Sequence, residues 1–249
     1  MQFADYANRY ETLKLTRDNG VLEVVMHTDG GEVRWNVSPK GHHAELGHLF
    51  AAIATDTENK VVILTGTGGN FVAARDENEV VPETSIHDMW DRMTEESVAM
   101  LEGLLAVPVP VIAAVNGPAL IHSELPVICD IVLAAEHAVF ADTTHAPNGM
   151  PPGDGTGFIW PIVLGPNRGR YFLLASEHMS AQEAHRLGVV GEVLSADQLM
   201  PRARELAQRL ARFPRRNLRH TKTVLVRSLR HRLRDELDLG LLAQGMSIV

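Results

Sequence analysis

Cysteine is almost absent from this chain of 249 residues. Cys129 stands alone in an apolar run ahead of Asp130, which excludes a disulfide framework and a cysteine-based zinc site within one chain. It reads as a small buried hydrophobe. Long hydrophobic runs are missing too: the longest, VPVPVIAAV, is too short to span a membrane and contains two prolines. The opening MQFADYANRYETLKL carries charges and no apolar core, unlike a secretory signal, so the expectation is a cytoplasmic protein that does not enter membranes.

Motifs for nucleotides and metals are also lacking. The loop LTGTGGN follows a strand-like run but has neither the Lys-Ser/Thr ending of a P-loop nor the G-x-G-x-x-G spacing. HHAELGH lacks the H-E-x-x-H spacing, and no second cluster follows it. Neither a cofactor nor a metal is expected.

What is present is an ordinary globular composition, 45% hydrophobic and 22% charged, enough for one main domain with a sizeable core. The net charge of -8 hides an asymmetry. Between Arg202 and Arg234 lie 12 of the 23 basic residues and one acid, Glu205, which sets a segment of +11 against a remainder of -19. The arginines alternate with Leu206, Leu210, Leu218, Val224, Leu225 and Leu229 at helical spacing, and the interleaved aromatics that stack on bases are lacking. A solvated or subunit-packing face fits better than a nucleic-acid surface.

Periodicity alternates along the chain. GVLEVVMHT is β-rich, and KVVILTG and VPVIAAVNG are short apolar runs ended by glycine, as strands buried on both faces are. Between them, HHAELGHLFAAIATD sets Leu46, Leu49, Phe50 and Ile53 on one helical stripe, and WDRMTEESVAMLEGLLA does the same with Met93, Val98, Leu101, Leu104 and Leu105. SAQEAHRLGVV predicts a helix with Ser180 and Glu183 at capping-box spacing and Gly188 at its end. The remainder reads as helices with a break at Pro214. The predicted class is α/β, with a core over residues 1–195 and a helical C-terminal region over 196–249.

The segments NKVVILTGTGGNFVAARDENEV, VPVIAAVNGPAL, ELPVICDIVLAAEHAVF, PPGDGTG, LGPNRGRYFLLAS and SAQEAHRLGVVGEVL resemble, in sequence and spacing, the crotonase (enoyl-CoA hydratase/isomerase) superfamily. The resemblance spans about residues 10–195. It implies a repeated ββα spiral core and a helical region used in packing a homotrimer or a dimer of trimers. In that superfamily two backbone N–H groups hold an enolate oxyanion. Here both positions depart from the pattern. FVAARD has Ala74 where the family has glycine and Arg75 after it, and ALIHSEL is one residue shorter than the usual glycine triplet. Ile121 and His122 would obstruct a close backbone approach that glycine permits.

Glu124 falls where the hydratases carry their first glutamate, whereas the second is replaced by Thr144 and His145. The departures match the β-diketone hydrolase branch, the 6-oxocamphor hydrolase family, which cleaves a carbon–carbon bond by a retro-Claisen reaction without CoA. The matching features are VIAAVNGP followed by a histidine, F-x-D followed by a histidine, PGDG, and a tryptophan ahead of HxEL. That resemblance implies His122 and Trp35 as donors to a substrate carbonyl, His145 and Asp154 as an acid/base pair acting on water, and His43 as a further catalytic pocket residue. A family glutamate aligns with Gln244, placed against substrate. A histidine near neutral pKa beside a carboxylate suits water activation. Two other readings stay open: a CoA-thioester enzyme with Glu124 as base, and a non-catalytic binding protein of the same fold. Of the other histidines, His42, His48, His87, His137, His185, His220 and His231 read as surface or core residues.

Overall fold

The computed structural model describes residues 1–248. After β1 (Leu13–Asp18), the chain coils in repeated turns of long strand, short strand and helix. The turns are β2 (Val21–Met26), β3 (Arg34–Trp35) and α1 (His42–Thr55), then β4 (Val61–Gly66), β5 (Ala74–Arg75) and α2 (Ile86–Ala106). A third turn has β6 (Val111–Val115) and α3 (Glu124–Ile128), and a fourth has β7 (Ile131–Ala135), β8 (Val139–Phe140) and α4 (Thr156–Val163). There follow α5 (Pro166–Leu174), β9 (Met179–Ser180), α6 (Ala181–Arg186), β10 (Glu192–Leu194), α7 (Ala196–Ala211), α8 (Arg215–Leu225) and α9 (Arg227–Ile248).

The long strands form one sheet in the order β1-β2-β4-β6-β7-β10, parallel except for the β1–β2 pair. Every residue of β4 and β6 is buried, as expected of strands covered on both sides. One face packs against α1 and α2, whose stripe residues Leu46, Leu49, Ile53, Leu101 and Leu104 join the main core. The other face, with Val61, Ile63, Ile112 and Leu133, is covered by Leu199, Ala203, Leu206 and Ala207 of α7. A second layer is made of the short strands and single bridges: Trp35 opposite Arg75, Val72 opposite Ala119, Ala119 opposite Phe140, and Phe140 opposite Met179. This layer positions the site, because each turn passes from it into a helix and exposes one or two side chains at the junction.

Two local readings change. Ser180 Oγ accepts the Glu183 N–H at 3.2 Å, but Glu183 turns to Arg186 instead of closing the capping box. The C-terminal helix pattern breaks at Val226 as well as at Pro214. None of the described helices is long and apolar enough to cross a membrane.

Candidate active site

Side chains from all four turns meet at a cavity of about 240 Å³. Trp35, His43, His122, Asp154 and Gln244 line it. Its remaining wall is largely apolar, with Val81, Trp90, Met93, Ile121 and Met150, and Arg75 stands there beside Glu79 at 2.6 Å.

His122 enters the cavity because its backbone is unusual, with φ at 48°, a left-handed value costing about 1–2 kcal/mol for a residue with a side chain. The shortened loop therefore spends its strain on aiming one imidazole. Its Nδ1 lies 2.6 Å from Glu124 Oε1, and its Nε2 is left with Asp154 Oδ2 at 3.8 Å, beyond hydrogen-bond range. The ring also lies against Trp35, centroids 4.4 Å apart. Trp35, one of the lining residues, is 1% exposed, and its indole Nε1 is a buried donor without a partner. The Ile121 N–H, at the family's backbone-donor loop, points instead to the Val72 carbonyl at 3.3 Å.

Glu124 is 0% exposed and does not reach the cavity wall. One carboxylate oxygen takes His122 and the other accepts the Thr156 hydroxyl at 2.7 Å. It therefore holds the His122 ring, a role the sequence did not disclose. His122, Glu124 and Asp154 each bring one potential ligand atom within 4.8 Å of the others, but with Glu124 and the His122 Nδ1 engaged with each other they do not form an open donor set for a metal.

Asp154 sits between two glycines for steric reasons. A Cβ at Gly153 would collide with the Gly240 carbonyl of α9, and Gly155 turns the chain into α4 at φ 97°. The loop thereby projects the Asp154 carboxylate inward. His145 stands behind it and does not line the cavity. Its Nε2 is 3.2 Å from Asp154 Oδ1, out of line for a hydrogen bond, and its Nδ1 lies 2.9 Å from Asp142 Oδ1. Asp142 also accepts the backbone N–H groups of Thr144 and His145.

This pairing moves the charges far from a neutral-pH histidine. Burial opposes a charge on His145, yet Asp154 and the Asp142 hydrogen bond outweigh it and push its pKa up to about 11. Burial likewise opposes ionised Asp154, but His145 and then His122 hold its pKa well below the usual carboxylate range. For His122, burial is outweighed by Glu124 and Asp154, and its pKa rises. His43 goes the other way, because burial exceeds the effect of Glu96 at 2.9 Å from Nδ1. Its Nε2 meets Ser97 Oγ at 3.1 Å. Its neighbour His42 turns outward from the cavity to the His27 carbonyl and stacks on Trp35. The Gln244 Oε1 is buried without a partner.

A family model for enoyl-CoA hydratase/isomerase matches residues 19–244. The chain belongs to that family, within the crotonase superfamily. Carnitinyl-CoA dehydratase of Shigella flexneri is 32% identical over 80% of this chain and 74% of its own length. The β-diketone hydrolase from the cyanobacterium Anabaena sp. PCC 7120, solved with bound (S)-3-oxocyclohexyl acetic acid, is 41% identical with a TM-score of 0.92, covering 98% of this chain and 96% of its own. An enoyl-CoA hydratase/isomerase from Mycobacterium paratuberculosis is 25% identical with a TM-score of 0.88, covering 96% and 94%. This crotonase-superfamily chain is thus similar both to CoA enzymes and to a diketone hydrolase.

Proposed function

We propose that the chain hydrolyses the carbon–carbon bond of a cyclic or bicyclic β-diketone by a retro-Claisen reaction. The observation that carries this reading is the pair of side-chain donors on two lining residues, the His122 Nε2 and the unpartnered Trp35 Nε1, beside a loop whose Ile121 N–H is turned to the Val72 carbonyl. Two further points support it. Glu124, the base a hydratase would use, has both oxygens engaged away from the cavity. The Anabaena enzyme binds a keto acid, which is what water leaves on opening a bicyclic 1,3-diketone.

In the reaction, water loses a proton to the Asp154–His145 pair as its oxygen bonds to one carbonyl carbon. The bond from that carbon to the α-carbon then breaks, and its electron pair moves into the second carbonyl as an enolate. That enolate oxygen rests on His122 and Trp35. The proton returns to the α-carbon, so diketone and water become a keto acid. Good oxyanion donors are worth about 3–4 kcal/mol each in such a dry site. His43 and Gln244 complete the polar wall. The apolar face exposed on α9, with Leu239, Leu242 and Met246, supports packing against a further copy of the chain, for which the family resemblance implies a homotrimer or a dimer of trimers.

The test is incubation with cyclic and bicyclic 1,3-diketones in the absence of CoA, following loss of diketone and release of acid. Turnover that persists in chelator and falls at least ~10²-fold in Asp154→Asn is expected. Hydration of an enoyl-CoA thioester with no diketone loss would replace this reading with the CoA one.

A further inference from the structure

We propose that Asp142 is a positioning residue that fixes His145 as a permanent cation, so that Asp154 alone carries the water-derived proton at the cavity. This deepens the diketone hydrolase reading and rests on it.

His145 is 2% exposed and lies between two carboxylates, Asp142 at Nδ1 and Asp154 at Nε2. Both ring nitrogens thus face acceptors, and a neutral imidazole has a single N–H to offer two of them. The doubly protonated ring keeps the Asp142 hydrogen bond at Nδ1 and sets its positive charge 3.2 Å from Asp154 Oδ1. Asp142 cannot easily leave this arrangement, because its Oδ1 is also gripped by the Thr144 and His145 backbone N–H groups at 3.1 and 3.2 Å. Its Oδ2 is buried without a partner, so the ring is the one charged group hydrogen-bonded to this carboxylate among the described residues. Other charged and titratable groups face the assembly from neighbouring elements. His122 and Glu124 approach from the third turn and His43 from α1. The His122 and His145 charges oppose each other, and the pKa of His145 is raised all the same by its two flanking aspartates.

A ring that is already an imidazolium cannot accept a proton from water. Of the pair, only Asp154 lines the cavity. The step is therefore transfer of a water proton to the Asp154 carboxylate as the new carbon–oxygen bond forms. After carbon–carbon cleavage the same proton passes from Asp154 to the α-carbon. His145 keeps its protons throughout and stabilises the Asp154 anion between turnovers. Asp142 contributes only by keeping His145 charged, a different division of labour from a histidine base oriented by an acid.

The experiment is ring-¹⁵N NMR of the full-length protein, wild type and Asp142→Asn, titrated from pH 6 to 9, with kcat and KM for a bicyclic diketone measured over the same range. The wild-type His145 nitrogens are expected to stay at imidazolium shifts, and those of Asp142→Asn to move to neutral values within the range. The variant's kcat is expected to fall about 10- to 100-fold as its His145 loses the proton, with KM little changed, as for other partners that orient a working group. Asp142→Glu should restore part of the loss. A wild-type His145 that titrates near 6.5, or a variant whose pH profile overlays the wild type, would overturn the proposal. The NMR titration needs no substrate, so a protein that leaves diketones untouched would refute the hydrolase reading while the charge state of His145 is still decided.

Discussion

At the residue scale, the site exchanges one kind of dipole for another. A loop that elsewhere in the superfamily presents backbone N–H groups here presents an imidazole, at the cost of a left-handed residue at 122. Glu124 holds that ring through Nδ1. Replacing Glu124 by Gln removes the anion but keeps an acceptor, and kcat is expected to fall less than in His122→Ala, a ranking checked by steady-state kinetics of both variants. The charge on His145 also ties stability to pH. Its folded pKa, about 11, exceeds the ordinary imidazole value of 6.5, so its stabilisation is complete below about 6.5 and is lost as pH rises toward 11. Melting curves should accordingly show the gap between wild type and His145→Gln narrowing from pH 7 to pH 10. His122 is legible in the sequence because it interrupts a loop motif, and Asp154 only through the family resemblance of PGDG. Asp142 was visible only as part of F-x-D, since nothing in the sequence shows that the turn after β8 curls its carboxylate onto Nδ1. Glu96 and Ser97, which hold His43, lie on a helix 53 and 54 positions away, beyond any local pattern.

At the scale of elements, the coil of strand, short strand and helix explains why residues as distant as 35, 75, 122 and 154 share one wall. Strands buried on both faces and stripes on α1 and α2 announced themselves through periodicity, whereas α4 and α5 are short and contain Pro161 or begin at Pro166, which hides their period. The contact between the Asp154 loop and α9 rests on two facing glycines, Gly153 and Gly240. Gly153→Ala would force these backbones apart, with an expected loss of about 1–3 kcal/mol, the range for overpacking. Chemical denaturation measures that loss. Because Gln244 and Ile248 of α9 line the cavity, KM for the diketone should rise in the same variant.

At the scale of the molecule, the basic C-terminal block is not a detached tail. Arg204 pairs with Glu23 at 2.7 Å, Lys222 with Asp130 at 2.7 Å, and Arg234 with Glu102 at 3.3 Å, so its charges partly close onto the acidic body. Beyond that block α9 exposes an apolar face, with Leu239, Leu242 and Met246 70%, 62% and 77% exposed. A charge placed there would oppose the proposed subunit packing, and Leu242→Glu is expected to shift the protein toward a monomer by light scattering after size exclusion. Since α9 also borders the cavity, such a monomer should retain its fold but hydrolyse diketone more slowly.

The central claim is that His122 has taken over the oxyanion duty of the superfamily's backbone amides. It is tested most directly by kcat and KM of His122→Ala with a bicyclic 1,3-diketone. Loss of kcat on the order of 10²–10³-fold with a nearly unchanged KM is the predicted result. An unchanged kcat in that variant, with wild-type protein hydrating an enoyl-CoA thioester, would contradict it.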